Sequence, residues 1–316
     1  MWTRAWRIGW SRLLALAESV WRDSLSLCLA RLDDYRRRAA WENGLTYAEA
    51  SLARFPGSAI VHFVAGQCAA QLGLTGYAVH RYAYAAALAP SDLRFTLHLG
   101  LAFIRQGRLQ EAGTALQRTL DQAPNHHEAV YYMALILRET GHHEQAIDQL
   151  NAYLSTQPDD RSMRRLSMVC ALECGRYAEA QSWAEAAIRQ DQQDGALWEI
   201  LARAEHRLER SHEAIQAISR AIELQPELGR RHRLLGRLLG AEHPTKARLH
   251  YRNAILATVP DRHAHRDLAE LYLQLGDPMR ARQELSLFRA YCPTGEHVGL
   301  HRRIEKAIGQ RHGATQ

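Results

Sequence analysis

A near-fixed period of 34 residues constrains this chain more than any other feature. Within residues 59–92, Gly66, Ala69, Gly73, Ala78, Tyr82, Ala85 and Pro90 fall at places 8, 11, 15, 20, 24, 27 and 32 of one unit. The next unit repeats the grid with Leu99, Gly100, Phe103, Gly107, Ala112, Leu116 and Pro124, and the one after with Ala134, Leu137, Gly141, Ala146, Leu150 and Pro158. Ala171, Gly175, Ala180, Ala184 and Ala187 follow, with Gln192 where proline is due, then Trp198, Leu201, Ala202, Ala214, Ile218, Ala221 and Pro226. The last two units end at Pro260 and Pro293. In the first of them Ala247 arrives one place early, which predicts a shortened turn around Pro244; the other carries Ala269, Tyr272, Gly276, Ala281 and Leu285. Seven of the nine prolines thus stand on one ruler, so internal repetition decides the fold.

The spacing has a direct physical reading. Small residues at places 8 and 20 let two helices approach closely, and glycine near place 15 ends the first helix where a left-handed residue is needed. Proline after the second helix stops it. Each helix pair leaves an apolar face that only the next pair covers. These residues resemble the tetratricopeptide repeat family over 59–293, which implies an all-α, right-handed superhelical solenoid of antiparallel helix pairs. The expected units are 59–92, 93–126, 127–160, 161–194, 195–228, 229–261 and 262–295, after a degenerate repeat at 25–58 with Gly44, Ala48 and Pro56 on the grid.

The ends read differently. Residues 1–24 hold Trp2, Trp6, Trp10 and Trp21 at helical steps among Arg4, Arg7 and Arg12, an amphipathic helix that either caps the first repeat or lies on an anionic membrane surface. Arginines interrupt its short apolar stretch, against a secretory signal. A C-terminal capping helix is expected over 296–309 and a disordered tail over 310–316. No apolar run is long enough to span a bilayer, and the odd count of five cysteines without framework spacing favours reduced thiols and a cytoplasmic location.

Catalytic and cofactor chemistry is not signalled. No nucleophile elbow, phosphate loop, zincin helix or dinucleotide fingerprint is present, so no enzyme, cofactor or catalytic residue is expected. His126/His127 and His142/His143 bracket one helix and lie about 20 Å apart at 1.5 Å rise per residue, too far to share an ion. His263 and His265 point to different sides of a helix, and Cys170 and Cys174 read as packing residues without a second ligand pair. No metal site is expected.

What remains is a surface. In tetratricopeptide repeats, places 2, 5, 9 and 12 of each first helix line the concave face, and the resemblance implies that role here. The early lining is Ile60, Phe63, Gln67, Leu97, Leu101, Ile104, Tyr131 and Leu135, largely apolar and aromatic. From the middle onward it becomes Arg165, Glu199, Arg203, His206, Arg230, Arg233, Arg237 and Arg266. All but Lys246 and Lys306 of the 40 basic residues are arginine, and residues 229–262 concentrate them. The polar stretch Asp191–Asp194 is expected to be a hinge between the two halves of the groove.

The expected function is a protein-interaction scaffold that holds an extended or helical partner segment carrying apolar and acidic residues. Attachment to a membrane surface through 1–24 is the alternative. Nucleic acid is the weakest candidate partner, since the arginine cluster has little aromatic interleaving. No unit has the Lys/Asn pair at places 5 and 9 that clamps a C-terminal carboxylate in some members of the family.

Overall fold

The structure is a computed structural model describing residues 24–292 and 298–313; the amphipathic segment expected at 1–24 lies outside them except for Ser24. Among the described residues there are seventeen helices and no strand. The chain divides after Met163 into two compact units. That division falls inside a helix of the fourth repeat, and not at Asp191–Asp194 where a hinge is expected. The latter stretch is tied down: Trp198 Nε1 donates to the Gln192 carbonyl (3.0 Å), and Asp194 accepts from the Ala196 amide (2.9 Å).

The first unit contains α1 (Leu25–Arg37) with α2 (Trp41–Arg54), α3 (Ala59–Gln71) with α4 (Thr75–Leu88), α5 (Leu93–Arg105) with α6 (Leu109–Gln122), and α7 (His127–Glu139) with α8 (His143–Thr156). In this unit each first helix starts on a residue of the same 34-residue ruler. Ser24 accepts from the Leu27 amide, Ser58 from Val61, Asp92 from Arg94 and His126 from Ala129, each satisfying an amide that has no partner inside the helix. The buried face is built from Leu32, Tyr47, Val61, Phe63, Tyr82 and Phe95 with alanines between them.

Helix α9 (Arg161–Glu173) crosses the division. The second unit continues with α10 (Tyr177–Gln190), α11 (Gly195–Arg207) with α12 (Ser211–Leu224), α13 (Gly229–Leu239) with α14 (Pro244–Leu256), α15 (Ala264–Gln274) with α16 (Pro278–Tyr291), and α17 (Val298–Gly313). The shortening expected near Pro244 lies in the helices: α13 has 11 residues where α11 has 13, and the turn before Pro244 is longer than its counterparts. Gly240 leaves the helical region early (φ 48°), which ends α13 two residues short. Leu228 cannot cap α13 as its ruler-mates cap theirs; instead the Gly229 amide donates to the Val259 carbonyl (2.9 Å) and the Val259 amide to Glu227 (3.0 Å). Helix α17 buries Leu300 and Ile304 against the second core and runs to Gly313, past the expected boundary at 309, because no proline interrupts it.

In the first six pairs the inner turn places one residue at positive φ on the ruler: Gly73, Gly107, Gly141 and Gly175, but Ala39 in the first pair and Glu209 in the sixth; in the last two pairs Gly240 and Gly276 take it ahead of the ruler. In the left-handed region a Cβ crowds the following carbonyl, costing roughly 1–2 kcal/mol. Glu209→Gly is therefore expected to raise stability by about 1 kcal/mol and Gly141→Ala to lower it by a similar amount. Urea unfolding of the two variants beside the native chain measures both, and a Glu209→Gly variant no more stable than native would contradict the turn geometry.

Candidate interaction surface

The concave-face places do not all behave as surface. Phe63 is 5% exposed and Leu97 3%, so both are core side chains and not groove anchors. The cause is aromatic interlock between successive pairs: the Phe63 ring meets Phe95 at 4.9 Å, His98 at 4.9 Å and Tyr82 at 5.7 Å between centroids. Of the other apolar residues expected on this face in the first unit, Leu101, Ile104, Tyr131 and Leu135 are half-buried and Ile60 is exposed. Tyr131 stands edge-on to Tyr132 at 5.5 Å. Gln67 is half-buried and accepts from Arg36 (3.4 Å).

Gln67 and Leu101 also line a cavity of ≈ 170 Å³, together with Arg36, Trp41, Tyr82, His98 and Arg105. His98 Nδ1 lies 2.8 Å from the Arg94 carbonyl, an acceptor only, so Nδ1 carries the ring proton and Nε2 is left as an acceptor. Burial, with Arg105 and Arg94 nearby, holds the His98 pKa below the ordinary imidazole value.

The arginines of the second unit divide into those answered internally and those that are not. Arg231 is 1% exposed; its Nε donates to Glu199 (2.9 Å) and its Nη1 to the Ala221 carbonyl (2.9 Å). Arg230 shares the same Glu199 carboxylate. Arg233 is held by Asp261 (2.9 Å) and reaches Asp267 (3.7 Å), so its charge is largely spent inside the protein. Arg266 reaches Asp267 (3.3 Å) and Arg165 reaches Asp194 (3.5 Å). Arg237 is 51% exposed with only a 4.0 Å contact to Asp267, and half-buried Arg203 has no hydrogen-bonding or ionic partner among the described residues. Of the arginines expected on the concave face, Arg203 and Arg237 remain available, beside His206, whose pKa is lowered by burial and then by Arg237 and Arg207.

Two features were missed at the sequence level. The N-cap residues share the 34-residue period with the landmarks, and that periodicity was the available signal. The second is the histidine pair His232 and His250, stacked at 5.5 Å with their Nδ1 atoms 3.3 Å apart. No sequence spacing announces it, because the two lie on different helices. Among the described residues no three His, Cys, Asp or Glu side chains come together as a metal site, and no helix is long and apolar enough to cross a membrane.

Arg231→Leu removes the buried partner of Glu199, which keeps only the exposed Arg230, and leaves the Ala221 carbonyl without its donor; it is expected to cost about 1.5–3 kcal/mol, against less than about 1 kcal/mol for Arg237→Leu. Thermal unfolding distinguishes them, and equal shifts would contradict the pairing. Burial depresses the pKa of His232 and His250. Between the depressed folded value and the ordinary one of about 6.5, the unfolded chain binds more protons, so stability falls as pH drops through that window. The urea midpoint is expected to fall from about pH 7.5 to about pH 5.5, and less so in His250→Phe; a native midpoint that rises on acidification would contradict it.

Tetratricopeptide repeat models match residues 103–168 and, separately, 77–127, 170–228 and 237–293, the second model alone covering more than half of the chain. No curated protein matches by sequence. A tetratricopeptide repeat protein from Parabacteroides merdae is similar in structure with TM-score 0.62 at 15% identity, over 78% of this chain and 98% of that one. The APC/C hetero-tetramer Cut9–Hcn1 contains a chain similar with TM-score 0.60 at 16% identity, over 90% of this chain and 56% of that one. At such identities the likeness concerns the fold, an all-α solenoid of helix pairs. By the family models, the chain belongs to the tetratricopeptide repeat family.

Proposed function

We propose that this protein is a non-enzymatic interaction scaffold whose first-helix faces hold a segment of another protein. The family supports a scaffold in general terms. The finer reading rests on one observation: after internal pairing is subtracted, the second unit still leaves Arg203 without a partner and Arg237 half-exposed, at place 9 of neighbouring repeats. Two guanidinium groups on adjacent first helices suit acidic side chains of a partner, where they give specificity and a faster approach. In the first unit the matching contribution is apolar, from Tyr131, Leu101 and Leu135. Tyrosine and arginine are the residue types that most often dominate protein interfaces.

The pairing of Arg230, Arg231 and Arg233 also weighs against a nucleic-acid partner, because it removes cations that a phosphate backbone would need.

The test is capture of partners by the immobilised native chain, identification by mass spectrometry, and titration of the captured protein against variants. Arg203→Glu with Arg237→Glu is expected to weaken binding by about 2 kcal/mol and to flatten its salt dependence, and Tyr131→Ala to weaken it by more than about 1 kcal/mol. Unchanged affinity and salt slope in all three would overturn the reading.

A further inference from the structure

In the seven repeats from residue 59 onward, each second helix buries an alanine at the same place and turns its opposite side to solvent. Two residues beyond that alanine stand His80, Thr114, Asp148, Ser182, Gln216 and Gln283, all exposed, but Leu249 in α14. Nine residues beyond it stand Ala87, Asp121, Ser155, Arg189, Glu223 and Ala290, again all exposed, but Leu256 in α14. Leu249 is 56% exposed and Leu256 82%. A single exposed leucine is ordinary on a protein surface. Two of them seven residues apart on one side of one helix, at places that six other repeats fill with polar or small residues, are peculiar to this repeat.

Charge departs from the pattern in the same helix. No acidic residue occurs between Glu242 and Asp261, whereas Lys246, Arg248 and Arg252 do, none with an ionic partner among the described residues. Lys246 stands where Glu111, Glu179 and Glu213 stand in other repeats, and exposed Arg252 lies between the two leucines. The face continues into the following turn, where Val259 is half-exposed although its backbone is fixed: its carbonyl accepts from the Gly229 amide (2.9 Å) and its amide donates to the Glu227 carbonyl (3.0 Å). Beyond it, exposed Arg262 lies over the ring of half-exposed Tyr291 at 4.1 Å.

The complement of this face must be anionic and apolar at once. Its leucines are about 10 Å apart along the helix with a cation between them. A rigid protein segment would have to match each separated side chain in shape, whereas lipid head groups rearrange around them. Long basic stems lie along an acyl boundary while their charged heads stay with phosphate, and each cation adds to the attraction of an anionic bilayer. We infer that the outer side of α14 docks on an anionic lipid surface, with Leu249, Leu256 and Val259 at the head-group boundary and Lys246, Arg248 and Arg252 on lipid phosphates. This side is opposite Ala247, Tyr251 and Ala254, which belong to the core, so docking leaves the first-helix places of the proposed groove free.

The experiment is co-sedimentation of the full chain with vesicles of equal parts phosphatidylcholine and phosphatidylglycerol, beside vesicles of phosphatidylcholine alone. Binding to the anionic vesicles is expected to be at least about tenfold tighter than to the neutral ones and to weaken as salt rises. The variants borrow residues that other repeats already carry at the same places. Leu249→Gln with Leu256→Ser and, separately, Lys246→Gln with Arg252→Ser are each expected to lose about tenfold or more in binding to the anionic vesicles. Because these side chains are exposed, both variants should melt within a few degrees of the native chain, which separates loss of docking from loss of fold. The control variant Arg203→Glu with Arg237→Glu is expected to keep most of the binding, so failure of the groove reading and failure of this one are distinguishable. Several results would overturn the inference: no binding to either vesicle, equal binding to both, or unchanged binding in both α14 variants. So would a loss confined to the charge variant, which would mark a generic polyanion surface, or binding of a leucine- and glutamate-rich amphipathic peptide without vesicle binding, which would assign the face to a protein helix.

Discussion

The arrangement depends on helices that approach each other too closely for anything larger than alanine at two places of most repeats. At the second-helix place, Ala78, Ala112, Ala146, Ala180, Ala214, Ala247 and Ala281 are all fully buried. At the first-helix place, a Cβ on Gly66 would lie 2.8 Å from the Tyr82 ring and one on Gly100 2.9 Å from Leu116. Close approach lets the large side chains between these points interlock, and dispersion across such contacts is large only in sum. Because each pair covers its neighbour, stability in either unit is a property of adjacent repeats and not of a single centre.

That packing also determines what is left for the surface. The interlock of Phe63 with Phe95 and His98 draws an aromatic side chain out of the face it was expected to line. The second unit loses cations in a parallel way, since Glu199, Asp261 and Asp267 answer Arg230, Arg231, Arg233 and Arg266. A buried charge must be paired or it is prohibitively costly, so the groove-side cations nearest the core are consumed in holding the fold together. Arg203 and Arg237 stand out by contrast.

The repeat and its small-residue positions were legible because periodicity fixes both helix type and register. The positive-φ turn was legible where glycine marks it and hidden at Ala39 and Glu209, where the chain adopts the same turn without the residue that favours it. The N-caps at Ser24, Ser58, Asp92, His126, Asp160 and Asp194 share the 34-residue period, but the residue type changes between Ser, Asp and His, so they stand out less than the apolar landmarks. The surface was harder. A template of groove places assumes that a given place keeps one fate in every repeat, yet place 5 is core at Phe63 and Leu97 and half-buried at Tyr131. Arg36, Tyr82 and Arg105 come from three repeats and serve different landmarks, so no spacing rule joins them into one cavity.

The central claim is that partners are held by first helices. Amide hydrogen exchange, read by mass spectrometry with and without a captured partner, tests it most directly. Slowed exchange is expected in α5 and α7 of the first unit and in α11 and α13 of the second, with α6, α8, α12 and α14 little changed. Protection confined to those second helices would contradict the account.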